Sequence, residues 1–221
     1  STISKDDQAK IVRIRANIEC LPEQIANNPS ELNDQTRIYI GEWTPTVFNK
    51  VKDYPNIKHV YERFPDKKVF LKTIETDPDI NSAESAIKKL EEAGHAASDY
   101  SKDLLTKANW QEKLADSYEI VSFSVSELFG DQNVHTYAEI KAKAAEQNLG
   151  LIPATLAPSI RLNYDKTGEW TVMAMEAIRG RDGSLRLFYC HWSGDESWLG
   201  YVSGRDGSKW FPDYRFFFVS K

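Results

Sequence analysis

The segment from Cys190 to Glu196 gathers, within seven residues, side chains that nucleophilic catalysis and metal binding use. A thiol or imidazole beside a base can form a nucleophilic pair, and the same groups with a carboxylate can hold a metal. Adjacent strand residues point to opposite faces, however, so Cys190 and His191 are expected to lie apart. We therefore take His191, Asp195 and Glu196 as catalytic candidates that need a further residue from the N-terminal part. A hydrolase is the function they would support.

The second chemical pattern is the density of aromatic side chains in the last fifty residues or so. Exposed Trp and Tyr rings suit a peptide, a sugar ring or an unstacked base, because each offers a flat apolar surface with a polar edge. The residues predicted to contact a ligand or partner are Trp192, Trp198, Tyr201, Trp210 and Tyr214. The alternative is that helices bury both faces of the sheet and that these rings form the core.

Other signatures of metals and cofactors are missing from the sequence. The remaining histidines, His59, His95 and His135, are isolated, and no paired Cys-x-x-Cys occurs. Glycine-rich nucleotide loops and a Gly-x-Ser-x-Gly elbow are also absent. We expect no metal and no cofactor. The acidic run from Glu75 to Asp79 has the spacing of a metal site, although it also suits a solvated loop before a helix.

The pentapeptide Gly-Arg-Asp-Gly-Ser occurs twice, at 180–184 and at 204–208. Asp-Gly favours the positive φ angles of a tight two-residue turn. Each copy is therefore predicted to reverse the chain between paired strands, either as a duplicated unit or by coincidence of turn chemistry. Asp182 and Asp206 then serve the turns rather than a calcium ion, since each pentapeptide holds one carboxylate beside a repelling arginine.

The elements that position these residues are predicted to be strands. The five predicted strands are 160–163, 170–178, 185–192, 198–203 and 214–219, separated by turn residues. Consecutive strands joined by short turns pair antiparallel, so we expect a five-stranded meander sheet or a half-open barrel. A helix at 135–148, with the capping-box pair Thr136 and Glu139, is expected to cover one face.

The first 115 residues are predicted to be mostly helical. Ile11, Ile14 and Ile18 repeat at helical spacing, and Asn81 with Glu84 has the form of a capping box before a helix over about 82–93. A further helix is predicted over 99–107, with strands over 68–74 and 118–125. The fold class is therefore α+β, with a helical part at 1–115 and a sheet domain at 116–221 that share one core or stand apart.

A resemblance covers residues 118–221. The order of the short motifs Leu149-Gly-Leu-Ile-Pro153, Arg161-Leu162, Gly168-Glu-Trp170, Ala174-Met-Glu176 and Asp213-Tyr-Arg-Phe216 looks like that of small uncharacterised bacterial proteins. That pattern has no assigned activity, so the resemblance implies a unit spanning the second half and transfers no functional residue.

Composition narrows the class of protein. The net charge of −5 disfavours a nucleic-acid-binding module, and no apolar run approaches the roughly eighteen residues that would span a membrane. A local basic patch would be the exception; it would consist of Arg179, Arg181, Arg186, Arg205, Lys209 and Arg215. Two cysteines, one in each half, indicate free thiols in a reducing cytoplasm, although a removed signal peptide would change the compartment.

The sequence favours a non-catalytic binding or regulatory protein in a bacterial cytoplasm. Its aromatic sheet surface would contact a partner protein or a small ligand, and the oligomeric state is left open. The alternative is the hydrolase built around His191 and Asp195.

Overall fold

The computed structural model describes residues 71–164, 170–193 and 196–221, together with Lys5 and Gln8 as single helical positions. The side chains of Leu71, Lys72, Trp192, Ser193 and Glu196 also lie outside the description. The helix predicted around Ile11 to Ile18 lies outside the described residues, as does most of the part predicted to be helical.

The described residues form five α-helices and eleven strands. The helices are α1 (Ala83–Glu92), α2 (Asp99–Lys107), α3 (Val125–Phe129), α4 (Tyr137–Glu146) and α5 (Ala157–Asn163), with a 3₁₀ turn at Ala154–Leu156. The strands are β1 (Leu71–Glu75), β2 (His95–Ala97), β3 (Ser117–Ser124), β4 (His135–Thr136), β5 (Leu149–Gly150), β6 (Thr171–Met173), β7 (Ile178–Arg179), β8 (Leu185–Ser193), β9 (Glu196–Ser203), β10 (Lys209–Trp210) and β11 (Arg215–Ser220).

Nine of these strands form one mixed sheet in the order β1-β3-β11-β6-β8-β9-β2, with β5 on β11 and β7 on β8. The five-stranded antiparallel meander and the half-open barrel are therefore wrong. Two pairings, β2 with β9 and β6 with β11, are parallel and join strands far apart in the sequence. The turn pattern predicted only pairs between consecutive strands, because only those are joined by a local turn.

The predicted strand over 160–163 is instead the end of helix α5. Every residue from Ala157 to Arg161 is buried, so no polar face reveals the helical period. Pro158 in the first turn of α5 suits a helix start, where its missing N–H costs nothing. A short run that is buried on all sides is compatible with a strand or with a helix, because no exposed positions show its period.

The predicted strand over 170–178 divides into β6 and β7. Between them the side chain of Tyr137 holds the chain: its hydroxyl donates to the carbonyl of Met175 at 2.6 Å and accepts from the Met175 N–H at 2.9 Å. Burial raises the pKa of Tyr137 well above its ordinary value, so the phenol stays protonated. These bonds replace the ladder bonds that Met175 would make in a continuous strand.

The two Gly-Arg-Asp-Gly-Ser copies take different roles. The first joins β7 to β8 as predicted, although only Gly183 has a positive φ, 79°. The second turns between β9 and β10, and β10 pairs with β4 in a separate two-stranded sheet. The hairpin predicted there is therefore wrong. Backbone carbonyls of this copy instead accept from the N-terminus of α4, Asp206 from Ala138 and Ser208 from Tyr137.

Several local predictions are confirmed. Helix α2 spans the predicted residues, α4 carries the predicted capping box, and β1 and β3 overlap the strands predicted over 68–74 and 118–125. The N-cap of α1 is Ser82 with Ser85, one residue beyond the predicted Asn81 with Glu84. A serine hydroxyl accepts from the third helical N–H as an asparagine would, so the shift leaves the helix in place.

Helices cover both faces of the sheet. On one face, called the α5 face, α5 contacts β1, β9 and α1, and Tyr100 of α2 stacks on Tyr201 with ring centroids 4.3 Å apart. On the other, called the α4 face, the ring of Tyr137 stacks on Phe216 at 6.1 Å. One hydrophobic core joins residues from Ile74 to Phe218. The division into 1–115 and 116–221 stays a prediction, and the described residues on both sides of it share this core.

Candidate functional site

A row of aromatic rings crosses one end of the α4 face. Thr171 lies opposite Cys190 on β8 and opposite Arg215 on β11, and these three share the α5 face. Side chains alternate along a strand, so the residues next to these three in the sequence lie on the α4 face. They include Trp170, Tyr189, His191 and Tyr214. We call this row the aromatic strip; it consists of Phe211, Tyr214, Trp170, Tyr189, His191 and Trp198.

The rings from Phe211 to His191 form a continuous series of contacts. Their centroids are 6.3 Å apart for Phe211 and Tyr214, 5.3 Å for Tyr214 and Trp170, 4.9 Å for Trp170 and Tyr189, and 6.4 Å for Tyr189 and His191. Trp198 is the cross-strand neighbour of His191. Adjacent planes are inclined by 34° to 69°, which is the offset or edge-to-face arrangement that ring quadrupoles favour. The aromatic strip therefore presents both the flat sides and the edges of its rings.

The absence of a side chain at Gly200 leaves space for the ring of Tyr189. A Cβ atom at Gly200 would lie 2.2 Å from Cζ and 2.5 Å from the hydroxyl oxygen of Tyr189. The ring thus lies across the bare backbone of β9, and any side chain at position 200 would displace it. Glycine here serves a close approach rather than a turn.

The aromatic strip is anchored on one side and open on the other. Trp210 is 5% exposed and contacts Tyr214 at 5.3 Å and Phe216 at 4.9 Å, both with nearly perpendicular rings. Tyr214, Trp170 and Tyr189 are half-buried against the core, whereas Phe211 is 56% exposed. The rings are therefore held by packing while part of each surface meets solvent.

A groove of about 780 Å³ continues the aromatic strip beyond Tyr214. Phe211 and Tyr214 form its aromatic side, and Ser126, Gln132 and the exposed Asp213 supply polar groups. A surface of this kind, apolar with a polar rim, is typical of protein contact sites.

Arg215 fixes the start of β11 beneath the groove. It is 5% exposed, donates from Nη1 to Glu127 at 3.0 Å, and donates from Nη2 to the carbonyl and hydroxyl of Ser122 at 3.1 and 3.2 Å. Arg215 is therefore structural and does not add to the basic patch considered for nucleic acid. Arg186 of that patch pairs with Asp182 at 3.1 Å.

The five predicted binding residues do not form one surface. Trp198 and Tyr214 belong to the aromatic strip, and Trp210 lies buried beneath it. Tyr201 lies on the α5 face against Tyr100. Trp192 belongs to β8, and its side chain is outside the described residues.

Three strip residues, Trp170, Tyr189 and Phe211, were missing from the predicted binding set. Trp170 meets Tyr214 only because β6 pairs in parallel with β11, a contact between distant segments. Side chains alternate along β8, so Tyr189 and His191 lie on one face. This alternation could have identified Tyr189 as a candidate binding residue. For Phe211 the available signals were the aromatic density around it and its place beside a turn.

The catalytic candidates are not assembled by the described residues. His191 lies in the aromatic strip, and within the described chain its side chain has no hydrogen bond. Asp195 is outside the described residues, and Glu196 begins β9 with its side chain undescribed. Cys190 is fully buried on the opposite face, and burial raises the pKa of its thiol to about 12. Burial therefore favours the protonated thiol of Cys190, which makes it a poor nucleophile.

A second histidine makes a closer polar contact. The ring Nδ1 of His95 in β2 is hydrogen-bonded to the hydroxyl of Ser197 in β9. Burial lowers the pKa of His95, and the positive charge of Arg161 lowers it further. Ser197 is only 1% exposed, so its hydroxyl ties the edge strand to the sheet rather than meeting a substrate.

Four of the acidic residues singled out in the sequence, Asp77, Asp79, Asp182 and Asp206, have structural partners. Asp77 and Asp79 lie 3.1 and 3.3 Å from the ammonium group of Lys89. Asp182 accepts from the hydroxyl of Tyr100, which, together with further hydrogen bonds, holds the pKa of that carboxyl well below its ordinary value. Asp206 pairs with Lys141 at 2.9 Å.

The described ranges lack two further kinds of feature. No group of three or more His, Cys, Asp or Glu side chains within 71–164, 170–193 and 196–221 is placed to hold a metal ion. In the same ranges no helix combines the length and apolar character needed to cross a bilayer.

Comparison of the chain with protein-family models, with curated proteins and with solved structures finds no match. The functional case therefore rests on the aromatic strip itself.

Proposed function

We propose that this chain is a non-catalytic binding protein that contacts a partner protein through the aromatic strip. The observation that carries the proposal is the series of partly exposed rings in contact from His191 to Phe211, which ends at Phe211 with 56% of its surface in solvent. Trp198 of β9 extends the series as the cross-strand neighbour of His191. Trp and Tyr are enriched at protein interfaces, where they bury large areas at little entropic cost.

The shape of the strip favours a protein over a flat ligand. A sugar or base stacks best on coplanar rings, whereas Trp170 is inclined by 69° to Tyr214 and by 44° to Tyr189. Inclined rings leave shallow depressions between them that accept aliphatic side chains of a partner. The adjoining groove, with Gln132 and Asp213, would supply the polar rim.

The hydrolase alternative has less support among the described residues. A general base needs a second group within hydrogen-bond reach, and the described part of the chain offers His191 none. The remaining support for that alternative is the sequence proximity of Asp195 and Glu196.

The proposal is tested by replacing strip residues that carry little of the core. We expect Trp198→Ala and Phe211→Ala each to reduce recovery of a partner about tenfold or more, because interface Trp and aromatic anchors carry most binding energy. The measurement is quantitative co-purification of tagged protein from its own cells, with thermal unfolding of each variant recorded alongside. Tyr201→Ala is the matched control, since it removes a half-buried ring from the opposite face.

The outcomes separate the alternatives. Loss of partner by the two strip variants, with Tyr201→Ala unaffected, supports a protein contact. Equal recovery by all three variants contradicts it. A small ligand that binds wild type but not Phe211→Ala, with no protein recovered, would replace the protein partner with the small-ligand alternative.

A further inference from the structure

A separate cavity lies between the loop after β1 and the loop after α2. Its volume is about 370 Å³, within the range of small-molecule sites, and it shares no residue with the aromatic strip. Thr76 closes one end, donating from its hydroxyl to the Ala115 carbonyl at 2.6 Å and from its N–H to the Asp116 carbonyl at 2.8 Å. Both loops are therefore held in place at this end. We call this space the acidic cavity.

The apolar wall of the acidic cavity is ordered by hydrogen bonding. Trp110 lines it half-buried, and its indole N–H donates to the carbonyl of Leu105 at 2.7 Å. Ile80, 5% exposed, lines it from the other loop. The indole orientation is set before any ligand arrives, which reduces the entropy lost on binding.

The buried side of the acidic cavity holds a hydroxyl without a partner. Thr155 lines the cavity and is 3% exposed, and its Oγ1 has no hydrogen-bond partner among the described residues. A buried hydroxyl that lacks a partner is destabilising, because its lost hydration is not replaced by another hydrogen bond. A ligand with a hydrogen-bonding group at that point would remove the cost, and a ligand without one would not.

The charge at the rim is negative. Three carboxylates line the acidic cavity, from Asp77, Glu112 and Asp116, and its lining includes no lysine or arginine. Asp77 is engaged by Lys89, whereas Glu112 and Asp116 are exposed and have no ion pair or hydrogen bond from their side chains within the described chain. Two carboxylates without an ion pair favour a cation at the rim.

We propose that the acidic cavity binds a small organic ammonium ion whose short chain ends in a hydroxyl. The ammonium group meets Glu112 and Asp116 at the rim, the methylene chain packs on Trp110, and the terminal hydroxyl pairs with Thr155. Each ligand group corresponds to one feature of the cavity, and neither the ammonium nor the hydroxyl group alone satisfies both.

The test compares three probes of similar length by isothermal titration calorimetry: 5-amino-1-pentanol, pentylamine and 1,5-pentanediol. The amino alcohol is expected to bind at least tenfold more tightly than either of the others, because a site that hydrogen-bonds a hydroxyl rejects an analogue lacking it. Equal binding of all three probes, or no binding of the amino alcohol, would overturn the proposal. The same series with three and four carbons guards against a mismatch of length.

Variants of the cavity residues test which side chain contacts the hydroxyl end of the probe and which contact its ammonium end. Thr155→Val, which keeps the side-chain shape, is expected to bring the amino alcohol down to the affinity of pentylamine. The double change Glu112→Gln with Asp116→Asn is expected to remove the preference for amine over diol. Glu119→Gln, an exposed carboxylate outside the cavity, is the control and should bind as wild type. Unchanged binding in both cavity variants would show that the probes bind elsewhere.

Discussion

Replacement of Trp210 by alanine is expected to lower the free energy of unfolding by about 3–5 kcal/mol, whereas Trp198→Ala should cost about 1 kcal/mol. Trp210 is 5% exposed and packs edge-on against Phe216 and Tyr214. Its removal leaves a cavity between the core and the aromatic strip, and the surrounding rings fill it only in part. Trp198 is half-buried at the strand surface.

The measurement is denaturant unfolding of both variants and wild type, followed by near-ultraviolet and far-ultraviolet circular dichroism. A large loss for Trp210→Ala with a small loss for Trp198→Ala agrees with one ring in the core and one at the surface. Losses of equal size would contradict that division. Trp210→Phe, which keeps most of the volume, should recover more than half of the stability lost in the alanine variant.

Arg215→Ala is expected to destabilise the fold by about 3–5 kcal/mol. The change leaves the carboxylate of Glu127 without its buried partner and removes two hydrogen bonds to Ser122. The side chain of Glu127 is only 19% exposed, so water compensates for little of the lost ion pair. Breaking one side of a buried pair costs more than the pair itself contributes, because the remaining charge stays desolvated.

Arg205→Ala is the matched control for Arg215. Arg205 is exposed in the second Gly-Arg-Asp-Gly-Ser copy, and its replacement should change stability by no more than about 0.5 kcal/mol. Chemical denaturation measures both variants. A cost below about 1 kcal/mol for Arg215→Ala would show that its guanidinium group does not anchor β11. Glu127→Gln with Arg215→Met should recover part of the loss, since no charge is then left buried.

The local elements were predictable from the sequence because their signals are local. Ser98 caps α2 and Thr136 with Glu139 caps α4, so each helix begins where its own residues place it. Gly183 likewise turns the first hairpin through its own positive φ. In these cases neighbouring residues supply nearly all the hydrogen bonds that define the element.

The two identical pentapeptides show which feature the local sequence does not predict. Both make a turn, and in the second the N–H of Ser208 donates to the Arg205 carbonyl at 2.9 Å. The strand that follows, however, pairs with β4 rather than with β9. Tertiary contacts accompany the pairing of β10 with β4: Trp210 is buried in the core and Lys141 forms an ion pair with Asp206. Turn chemistry predicts a reversal of the chain and does not predict the strand it meets.

Only part of the candidate site was predictable, because the local sequence identifies some of its residues but not the contacts between distant segments. Aromatic density and alternation pointed to Trp198 and Tyr214, which lie in the aromatic strip. The strip is continuous only through Trp170, whose neighbour Tyr214 is far along the chain and arrives by parallel pairing. Tyr201 lies on the opposite face because it is three residues from Trp198 in β9, an odd spacing that alternation could have shown, whereas the ring of Tyr100 that covers it comes from a distant helix. The contacts of Trp170 with Tyr214 and of Tyr100 with Tyr201 join distant segments, so no local pattern predicts them.

The most direct measurement of the central claim is site-specific photo-crosslinking from the aromatic strip. Full-length protein carrying p-benzoylphenylalanine at position 211 is irradiated in its own cells, beside protein carrying the same group at position 88, where the native Lys88 side chain is 75% exposed on α1. A discrete protein adduct from position 211, missing from position 88 and lost when Trp198→Ala is added, is the expected result. Adducts of equal yield from both positions, or none from position 211, would contradict a partner contact at the aromatic strip.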